Sequence, residues 1–415
     1  MNDSVEILTI GDELTRGEIV DTNSSYLAER LSELGFRVTW MTSCTDDAAD
    51  IRRALEAARQ RARLILVSGG LGPTEDDRTV DVIAELAGVE PQVEPRALAF
   101  MQERFGRMGF QLTPNNLRQV RVPAGAEVLP NRAGLAPGFR VRMGEADLYA
   151  MPGVPRELKR IFADEIEPRL RALTPAGATR VRTFHIYGMG ESHIDHRLAG
   201  LVSGQPGVSI HYRVLFPENR VKLVVRDRDP AAAETRLGAL ETEARARLGR
   251  HIYGVDGETF PAAVGRILRG QGATLALAES CTGGLVGHLV TSVAGSSDYF
   301  LCGVVSYSNQ AKQKLLGVRP ETLAAQGAVS EACAREMAEG VRALAGATVG
   351  VAISGIAGPG GGTPEKPVGT IHVAIAGPLG TRHRQLLYQG DREQVKQVAA
   401  HAALAMIYRY WDAEP

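Results

Sequence analysis

The sequence lacks the features that mark disulfide-rich, exported or membrane-spanning proteins. Its four cysteines lie far apart and form no CxxC pair, which argues against both a disulfide framework and a zinc knuckle. No apolar run reaches membrane-spanning length, and the segment from Met1 to Glu6 has neither the basic region nor the apolar core of a signal peptide. We therefore predict a reduced, cytoplasmic protein without export or membrane insertion.

An excess of charge of either sign is also missing. The chain has 47 lysines and arginines against 48 aspartates and glutamates, which gives a formal net charge of -1. A balanced charge provides no overall attraction to nucleic acid or to an acidic membrane, so we expect neither partner unless a local basic patch exists. What the sequence does contain, 415 residues with 44% hydrophobic residues and 46 glycines, is typical of two or three α/β domains.

From the start to about residue 172, short apolar runs alternate with amphipathic helical patterns. The predicted strands and helices are Val5 to Ile10, Ser25 to Leu34, Phe36 to Met41, Ala48 to Arg61 and Leu64 to Val67. Gly35 stands where a glycine ends a helix. This alternation predicts a mostly parallel, layered sheet, in which ligands bind beyond the carboxyl ends of the strands.

Two loops at predicted strand ends combine glycines with carboxylates, at residues 11–17 and 68–77. Glycine lets backbone N–H groups approach phosphate oxygens, and carboxylates are natural ligands of a hard divalent ion, so one interpretation is a phosphate-plus-metal site. In the other interpretation, Thr74 is a helix N-cap with Asp77 completing a capping box, and Asp12 and Glu13 are solvated charges. The presence of both loops favours the first. A third loop, at 151–157, places Pro155 in the first turn of a helix.

A serine turn follows the apolar run at 274–277. Residues 278–284 read Ala-Glu-Ser-Cys-Thr-Gly-Gly, and a helical pattern with apolar Leu285, Val286 and Leu289 comes next. A serine between a strand and a helix N-terminus lies near unpaired backbone N–H groups and the positive end of the helix dipole, both of which stabilise an oxyanion. The position suits a nucleophile.

These motifs resemble those of one family. Gly-Asp-Glu-Leu at 11–14, Gly-Gly-Leu-Gly-Pro-Thr-Glu-Asp-Asp at 69–77 and Met-Pro-Gly-Val-Pro at 151–155 resemble the N-terminal domain of the CinA (competence/damage-inducible) family. The serine turn, Tyr307-Ser308-Asn309 with Lys312, and Ser-Gly-Ile-Ala-Gly-Pro at 354–359 resemble its C-terminal domain. The resemblance covers nearly the whole chain.

The resemblance implies an α/β architecture of three domains. These are a three-layer α/β/α molybdopterin-binding-like domain at 1–172, a small α+β KH-type domain at 173–255 and an α/β deamidase domain at 258–415. It also implies two reactions: deamidation of nicotinamide mononucleotide to nicotinic acid mononucleotide and ammonia, and cleavage of ADP-ribose to AMP and ribose 5-phosphate. The second reaction implies a divalent ion of the Mg, Co or Mn class, with a monovalent ion left open; the deamidase implies no cofactor. With the long helix of the middle segment, it further implies a homodimer.

The middle segment begins after a predicted linker at Leu173 to Gly177. Its predicted elements are strands at 180–187, 208–215 and 220–226 and helices at 191–201 and 231–248. Its turn at 187–191 lacks the GxxG clamp by which KH proteins hold a nucleic-acid backbone, so we interpret the segment as a spacer or dimerisation element. His193 and His196 are interpreted as surface residues; the alternative is a metal site.

Amide hydrolysis needs a nucleophile, a base and an oxyanion site. We predict that Ser280 attacks the amide carbon and that Lys312 accepts its proton, which requires desolvation to lower the lysine pKa from about 10.4 towards 7 or 8, roughly 4 kcal/mol. Tyr307 is predicted to relay the proton or orient the lysine. His288 is predicted to be buried or packed and not poised for catalysis. The backbone N–H groups at 282–284 are the predicted oxyanion site. The predicted substrate-binding residues are Glu279, Thr282, Gly283, Gly284, Ser354, Gly355 and Arg392.

Several alternatives remain beside these assignments. Cys281 is the stronger intrinsic nucleophile, but the family motif favours Ser280. Lys314 is interpreted as a solvated residue of the same helix. Arg392 is either a phosphate ligand or an exposed charge in a first helical turn, and the loop at 354–363 is a candidate lid.

The N-terminal domain has its own predicted site. The predicted nucleotide-binding residues are Gly11, Asp12, Glu13, Asn23, Gly69, Gly70, Gly72, Pro73, Thr74, Pro152 and Gly153, and the predicted metal ligands are Asp12, Asp76 and Asp77. In the alternative hypothesis this domain only binds a pterin or nucleotide, and the protein acts as a scaffold in competence or DNA uptake.

Overall fold

The structure, a computed structural model, describes residues 4–173 and 178–412. The chain divides into two compact units, Met1–Arg180 with Arg226–Glu234 and Val181–Val225 with Thr235–Pro415. The predicted linker lies outside the described residues except for Leu173, which ends a helix.

The first unit contains a six-stranded sheet, a two-stranded sheet and the helices that cover them. Along the chain its elements are β1 (Ser4–Ile10), α1 (Asp12–Thr15), α2 (Thr22–Glu33), β2 (Arg37–Cys44), α3 (Ala48–Arg61), β3 (Leu64–Ser68), α4 (Thr79–Ala87), β4 (Pro91–Val93), α5 (Pro95–Met108), α6 (Pro114–Arg118), β5 (Arg121–Pro123), β6 (Glu127–Leu129), β7 (Gly138–Met143), β8 (Ala146–Met151), α7 (Pro155–Ile161) and α8 (Glu167–Leu173). A π-helical turn at Phe162–Ile166 joins the last two helices.

The large sheet has the order β2-β1-β3-β8-β7-β6. Its first four strands are parallel to one another, and β7 pairs antiparallel with both β8 and β6. Side chains alternate along β1: Val5 and Ile7 pack with α2, whereas Leu8 and Ile10 pack with α3 on the other face. Both faces are therefore covered, and the predicted three-layer α/β/α fold is confirmed. Because four strands are parallel, the loops after β1, β2, β3 and β8 share one edge of the sheet.

The second unit contains a four-stranded and a five-stranded sheet. Its elements are β9 (Ala178–Ile186), α9 (Glu191–Leu198), β10 (Val208–Leu215), β11 (Glu218–Asp227), α10 (Pro230–Leu248), β12 (Ile252–Val255), α11 (Phe260–Gly270), β13 (Leu275–Glu279), α12 (Leu285–Thr291), β14 (Phe300–Val305), α13 (Asn309–Leu316), α14 (Pro320–Gln326), α15 (Glu331–Ala345), β15 (Val349–Gly355), β16 (Thr370–Gly377), β17 (Gly380–Leu387) and α16 (Arg392–Tyr408). The parts of β9, β11 and α10 within 178–180 and 226–234 belong to the first unit.

The five-stranded sheet has the order β14-β13-β15-β16-β17, with β13 parallel to both of its neighbours. Leu275 and Leu277 of β13 pack in one core with α11, α12 and α16. Ala276 and Ala278 face the opposite core, which contains residues of α13 and α15. The predicted α+β middle module, with the sheet order β10-β11-β9-β12, and the α/β C-terminal part are likewise confirmed.

The middle module packs against the C-terminal part within this unit. Glu218 accepts a hydrogen bond from the Tyr253 hydroxyl at 2.5 Å, and His401 Nε2 of α16 lies 3.1 Å from the same carboxylate. The rings of Tyr253 and Phe260 stack with their centroids 4.1 Å apart. The desolvated Glu218 carboxylate therefore has one hydrogen-bond partner in the middle module and one in the C-terminal part.

Two histidines on neighbouring strands form a buried pair. His372 Nδ1 lies 2.9 Å from His383 Nε2, and His383 Nδ1 lies 3.4 Å from a Glu331 carboxylate oxygen. Burial, helped by the charge of His383, lowers the pKa of His372 to about 4. An unfolded histidine titrates near pH 6.5. Just below that pH, His372 therefore binds a proton in the unfolded chain but not in the folded chain.

We expect this pair to make the fold acid-sensitive. Above pH 6.5 His372 does not change the free energy of unfolding. As the pH falls from 6.5 towards 4 this free energy decreases, by about 1–2 kcal/mol at pH 5. Thermal unfolding of the wild type and of His372→Gln at pH 7 and pH 5 measures this contribution. The variant should lose less on acidification; an equal loss would mean that His372 does not contribute.

Candidate active site

The serine turn begins where β13 ends between its two parallel neighbours. Strand alternation directs Glu279 towards α12 and Ser280 towards the opposite face, where α13 lies. Cys281 returns to the first face, and its side chain belongs to the core formed with α11, α12 and α16. Adjacent residues of the turn thus point into different environments.

Ser280 and Lys312 meet on the α13 face. Lys312 Nζ lies 2.9 Å from Ser280 Oγ, 2.7 Å from the carbonyl oxygen of Ser306 and 3.4 Å from that of Tyr307. The lysine side chain is only 1% exposed. Within the described part of the chain it forms no ion pair with a carboxylate. The predicted nucleophile and base are therefore in direct contact.

The surroundings of Lys312 favour its neutral amine. Burial lowers the pKa of Lys312, because an ammonium without a carboxylate partner is poorly solvated in the interior. A neutral amine has two N–H donors and one lone pair. In the ammonium form Nζ donates to Ser280 Oγ and to both carbonyl oxygens, whereas in the neutral form the carbonyl oxygens match the two donors and the lone pair is left for the Ser280 hydroxyl proton. This is the protonation state that a general base requires.

The environment of Cys281 differs from that of Ser280. Its side chain is buried in the apolar core, and burial raises the pKa of the thiol to about 12. A thiol of this kind remains protonated at neutral pH and is a poor nucleophile. The geometry therefore supports Ser280 over its neighbour.

Glu279 holds the turn together. Its buried carboxylate accepts hydrogen bonds from the backbone N–H groups of Gly284, Val286 and Gly287 at 3.0, 3.1 and 2.8 Å. It thus satisfies the N-terminal donors of α12, which sequence reasoning had left unpaired. A substrate contact by Glu279 stays a prediction, but its carboxylate is already engaged by the chain itself.

The expected oxyanion donors must be corrected for the same reason. The N–H of Gly284 donates to Glu279, and that of Gly283 donates to the carbonyl oxygen of Ser280 at 3.1 Å. Neither is available to an oxyanion. The N–H groups of Cys281 and Thr282 have no acceptor within residues 4–173 and 178–412, and the buried Thr282 hydroxyl has none either. These groups are the better candidates.

Tyr307 and Arg392 lie together beside the loop after β15. Arg392 donates to the Gly358 carbonyl oxygen at 2.6 Å and to the Tyr307 hydroxyl at 3.1 Å. Only the backbone carbonyl of Tyr307 approaches Lys312, and its side chain is 61% exposed. The tyrosine therefore orients the lysine through its main chain, and its hydroxyl lies at Arg392.

The remaining predicted C-terminal residues are placed less directly at the chemistry. The Ser354 hydroxyl donates to the carbonyl oxygen of Ala328 at 2.6 Å, and a Cβ on Gly355 would lie 3.1 Å from the Cys281 sulfur. Lys314 is exposed, as expected. His288 is exposed too, so the prediction that it is buried or packed is wrong; its helix turns it away from the core.

A second candidate site lies in the first unit, at the shared carboxyl edge of its parallel strands. A cavity of about 390 Å³ opens there. The predicted residues that line it are Gly11, Glu13, Gly69, Gly70, Gly72, Asp76, Asp77, Pro152 and Gly153. Asp12, Asn23, Pro73 and Thr74 do not line it. The three glycine-containing loops thus meet around one space.

Close packing explains why glycine stands at the base of this cavity. Gly69 has φ of +108°, and a Cβ there would lie 2.1 Å from the carbonyl oxygen of Ile10. Asn23 connects two of the loops, since its Nδ2 donates to the Ser68 hydroxyl at 3.0 Å and to the Gly153 carbonyl at 2.7 Å. Its buried Oδ1 has no hydrogen-bond partner within the described residues.

The predicted metal ligands do not converge. The Asp77 carboxylate accepts from the Thr74 hydroxyl and, at 2.9 Å, from the Thr74 N–H. The predicted capping box is nevertheless wrong, because the next helix starts at Thr79 with Arg78 as its N-cap, so Thr74 caps no helix. Asp12 pairs with Arg16 and accepts from the Asp46 N–H at 3.2 Å. No three His, Cys, Asp or Glu side chains in residues 4–173 and 178–412 form a group that could hold a metal ion. The trio of Asp12, Asp76 and Asp77 is not a metal site in itself.

Sequence reasoning missed three polar residues that line the cavity: Asp46, Gln119 and Glu157. Asp46 follows β2, which is parallel to β1, so the rule that located the other loops applies to it as well. Burial raises the pKa of Asp46, and the charges of the neighbouring carboxylates raise it further. Gln119 lies outside these strand-end loops and had no comparable signal.

The remainder of the described chain adds little to these sites. His193 and His196 belong to no group of possible metal ligands there. None of the helices within residues 4–173 and 178–412 combines the length and apolar character that a bilayer crossing requires.

Together, the fold and the sites define a multidomain α/β protein with a serine–lysine pair at one strand end and an acidic, glycine-lined cavity at another. Three family models match successive parts of the chain. The probable molybdopterin binding domain matches residues 6–172, the damage-inducible protein CinA KH domain matches 181–254 and the CinA C-terminal domain matches 257–411.

Full-length relatives show the family. A CinA-like protein from Anaeromyxobacter sp. (strain Fw109-5) is 45% identical over 97% of this chain and 98% of its own length. A putative competence-damage inducible protein from Symbiobacterium thermophilum is 45% identical over 98% of each chain. A solved structure, the competence damage-inducible protein A from Klebsiella pneumoniae, is 40% identical and covers 38% of this chain and 97% of its own, with a TM-score of 0.36. The chain belongs to the CinA family.

Proposed function

We propose that the C-terminal part deamidates nicotinamide mononucleotide. The observation that carries this proposal is the 2.9 Å contact between Lys312 Nζ and Ser280 Oγ, with the lysine buried and unpaired. Ser280 Oγ attacks the carboxamide carbon while its proton passes to Lys312. The negative charge that develops on the amide oxygen is stabilised by the N–H groups of Cys281 and Thr282.

Collapse of this intermediate breaks the C–N bond. Lys312 returns the proton to the departing nitrogen, which leaves as ammonia, and Ser280 remains as an ester of the nicotinic acid group. Water then attacks the ester carbon, again giving its proton to Lys312, and the Ser280 oxygen leaves with a proton from the lysine. The products are ammonia and nicotinic acid mononucleotide, and the enzyme is restored.

Arg392 is the proposed ligand of the substrate phosphate. Its guanidinium is positioned by Gly358 and the Tyr307 hydroxyl, and it stands at the first residue of the 17-residue helix α16. Guanidinium groups and helix N-termini both favour phosphate. In this proposal Tyr307 therefore links the phosphate end of the site to the lysine end.

The direct test is the purified chain with nicotinamide mononucleotide as substrate. We expect equal amounts of ammonia and nicotinic acid mononucleotide. Nicotinamide, which lacks the ribose and phosphate, serves as the comparison substrate and should react far more slowly. No ammonia from either compound would contradict the proposal.

For the first unit we propose cleavage of ADP-ribose to AMP and ribose 5-phosphate. The support is a cavity of about 390 Å³ whose glycine loops offer backbone donors to a diphosphate and whose wall includes Asp46. Its raised pKa suits a base that takes a proton from the water attacking phosphorus. A second candidate function, binding of a pterin or nucleotide without cleavage, is favoured by the lack of converging metal ligands within the described residues.

Asp46→Asn separates these two functions. The asparagine oxygen can still accept from the Asp12 N–H, which donates to Asp46 at 2.9 Å, but the side chain no longer takes a proton. We expect release of AMP from ADP-ribose, measured with Mg, Mn or Co present and absent, to fall by about 10²-fold.

The matched control is Glu75→Gln, which removes the charge of an exposed neighbour outside the cavity. It should leave AMP release unchanged, and both variants should retain deamidation. If the wild type binds ADP-ribose but releases no AMP under any of these conditions, binding without cleavage replaces the pyrophosphatase proposal.

A further inference from the structure

A strongly basic cavity lies in the second unit, away from the serine turn. Its volume is about 430 Å³, and four arginines line it: Arg250, Arg382, Arg384 and Arg409. The middle module contributes Arg250 with Gly188 and His251, β17 contributes two arginines, and the residue after α16 contributes the fourth. We call this space the arginine cavity.

The four guanidinium groups have no ion-pair partner within the described residues. Several other arginines of the unit do pair with carboxylates, as Arg319 does with Glu336 and Arg266 with Glu258. Arg382 instead lies over the Tyr410 ring, with Cζ 5.0 Å from the centroid. Arg409 makes only long contacts, at 3.4 Å, to the carbonyl oxygens of Tyr187 and Arg250, and its buried Nε has no acceptor.

The electrostatic cost of this cluster without a counter-ion falls on the partly buried Arg409, whereas Arg250 and Arg384 are exposed to solvent. Burial lowers the pKa of the Arg409 guanidinium, and the charges of Arg250 and Arg384 lower it further; Asp412 acts in the opposite direction. Arginine nevertheless stays charged at neutral pH. Four like charges around one space are therefore arranged to gain from a bound anion.

We propose that the arginine cavity binds a small anion that carries at least two phosphate groups. A planar guanidinium pairs with phosphate through two parallel hydrogen bonds, and four of them match two phosphates. The volume lies in the range of small-molecule sites. The cavity lining includes two histidines but no Phe, Tyr or Trp, the large rings on which bases of a single-stranded nucleic acid stack, which favours a small ligand over RNA.

This site is separate from the deamidase site. Arg392 starts α16 and Arg409 directly follows its last residue. With a rise of about 1.5 Å per residue, the two arginines lie about 25 Å apart along the helix. The ligand would therefore contact the middle module and the C-terminal part together, and its binding should stabilise the unit rather than take part in amide hydrolysis.

The test measures binding of inorganic pyrophosphate to the full chain by calorimetry and by thermal shift. We expect saturable binding and a higher unfolding temperature. Because the first unit contains another candidate phosphate site, the variants decide: Arg384→Gln and Arg409→Gln should each weaken binding at least about tenfold. Arg213→Gln, which removes an exposed arginine elsewhere in the unit, should not. Circular dichroism of the free variants confirms that they fold.

A parallel titration with ADP identifies the ligand class. Tighter binding of ADP than of pyrophosphate supports a nucleoside diphosphate, and equal binding supports recognition of the diphosphate alone. The proposal is overturned if both arginine variants bind pyrophosphate as the wild type does. It is also overturned if pyrophosphate binds only to a chain from which residues 413–415 have been removed. A third contrary result is that only a single-stranded RNA oligonucleotide binds and that Arg384→Gln abolishes its binding.

Discussion

Lys312→Met is expected to lower ammonia release from nicotinamide mononucleotide by about 10³-fold or more, without unfolding the protein. Methionine fills the space of the lysine stem, which is 1% exposed, but has no lone pair basic enough to take the Ser280 proton. Because the change also removes a buried, unpaired amine, the unfolding temperature should stay the same or rise. Loss of activity without loss of stability is the signature of a catalytic residue.

The pH profile gives a second measurement of the same residue. Since the folded pKa of Lys312 is lowered, the wild-type rate should rise with pH as the ammonium loses its proton, at a pH below the ordinary lysine range. Lys312→Met should lack this rise. The control is Lys314→Met, an exposed lysine of the same helix, which should keep both rate and profile. A Lys312→Met variant with more than a tenth of the activity would refute the assignment.

Ser280→Ala and Cys281→Ala should separate the two candidate nucleophiles. The first removes the atom that lies 2.9 Å from Lys312 Nζ, and we expect a loss of about 10³-fold or more. The second truncates a thiol in the apolar core, so it should lower stability by about 1 kcal/mol and leave the rate within about threefold.

Single-turnover experiments sharpen this comparison. If Ser280 forms an ester with the substrate, mass spectrometry of acid-quenched enzyme should show the nicotinoyl adduct in the wild type and in Cys281→Ala. Ser280→Ala should show no adduct. An adduct on Cys281, or full activity in Ser280→Ala, would assign the nucleophile to the cysteine.

Much of the fold could be predicted from local patterns. The strand at 208–215 and the helix at 48–61 occur with the predicted bounds, because amphipathic periodicity and flanking caps define them locally. The helix predicted at 25–34 begins instead at Thr22, since Asp21 accepts a hydrogen bond from the Ser24 N–H and caps the helix earlier.

Side-chain roles within the sites were harder to predict. The pairing of Ser280 with Lys312 followed from a family motif. The role of Glu279 could not be predicted in this way, because its carboxylate accepts hydrogen bonds from three backbone N–H groups further along the chain, and no spacing rule specifies such an arrangement. The Asp77 carboxylate likewise accepts a hydrogen bond from Thr74 and is not part of a metal cluster. The arginine cavity joins residues from three distant parts of the chain, so the balanced overall charge concealed a local concentration of one sign.

The alternation of β13 has a consequence for how this site can change during evolution. Ser280 faces the amine because it lies two positions after Ala278 and four after Ala276, whose side chains lie in the core on that face. Cys281 follows Leu275 and Leu277 into the other core. Insertion or deletion of one residue within the strand would exchange the two, directing a thiol towards the lysine and a hydroxyl into the apolar interior. Which of the two side chains faces Lys312 thus depends on whether the residue count along the strand is even or odd, and only length changes in steps of two preserve it.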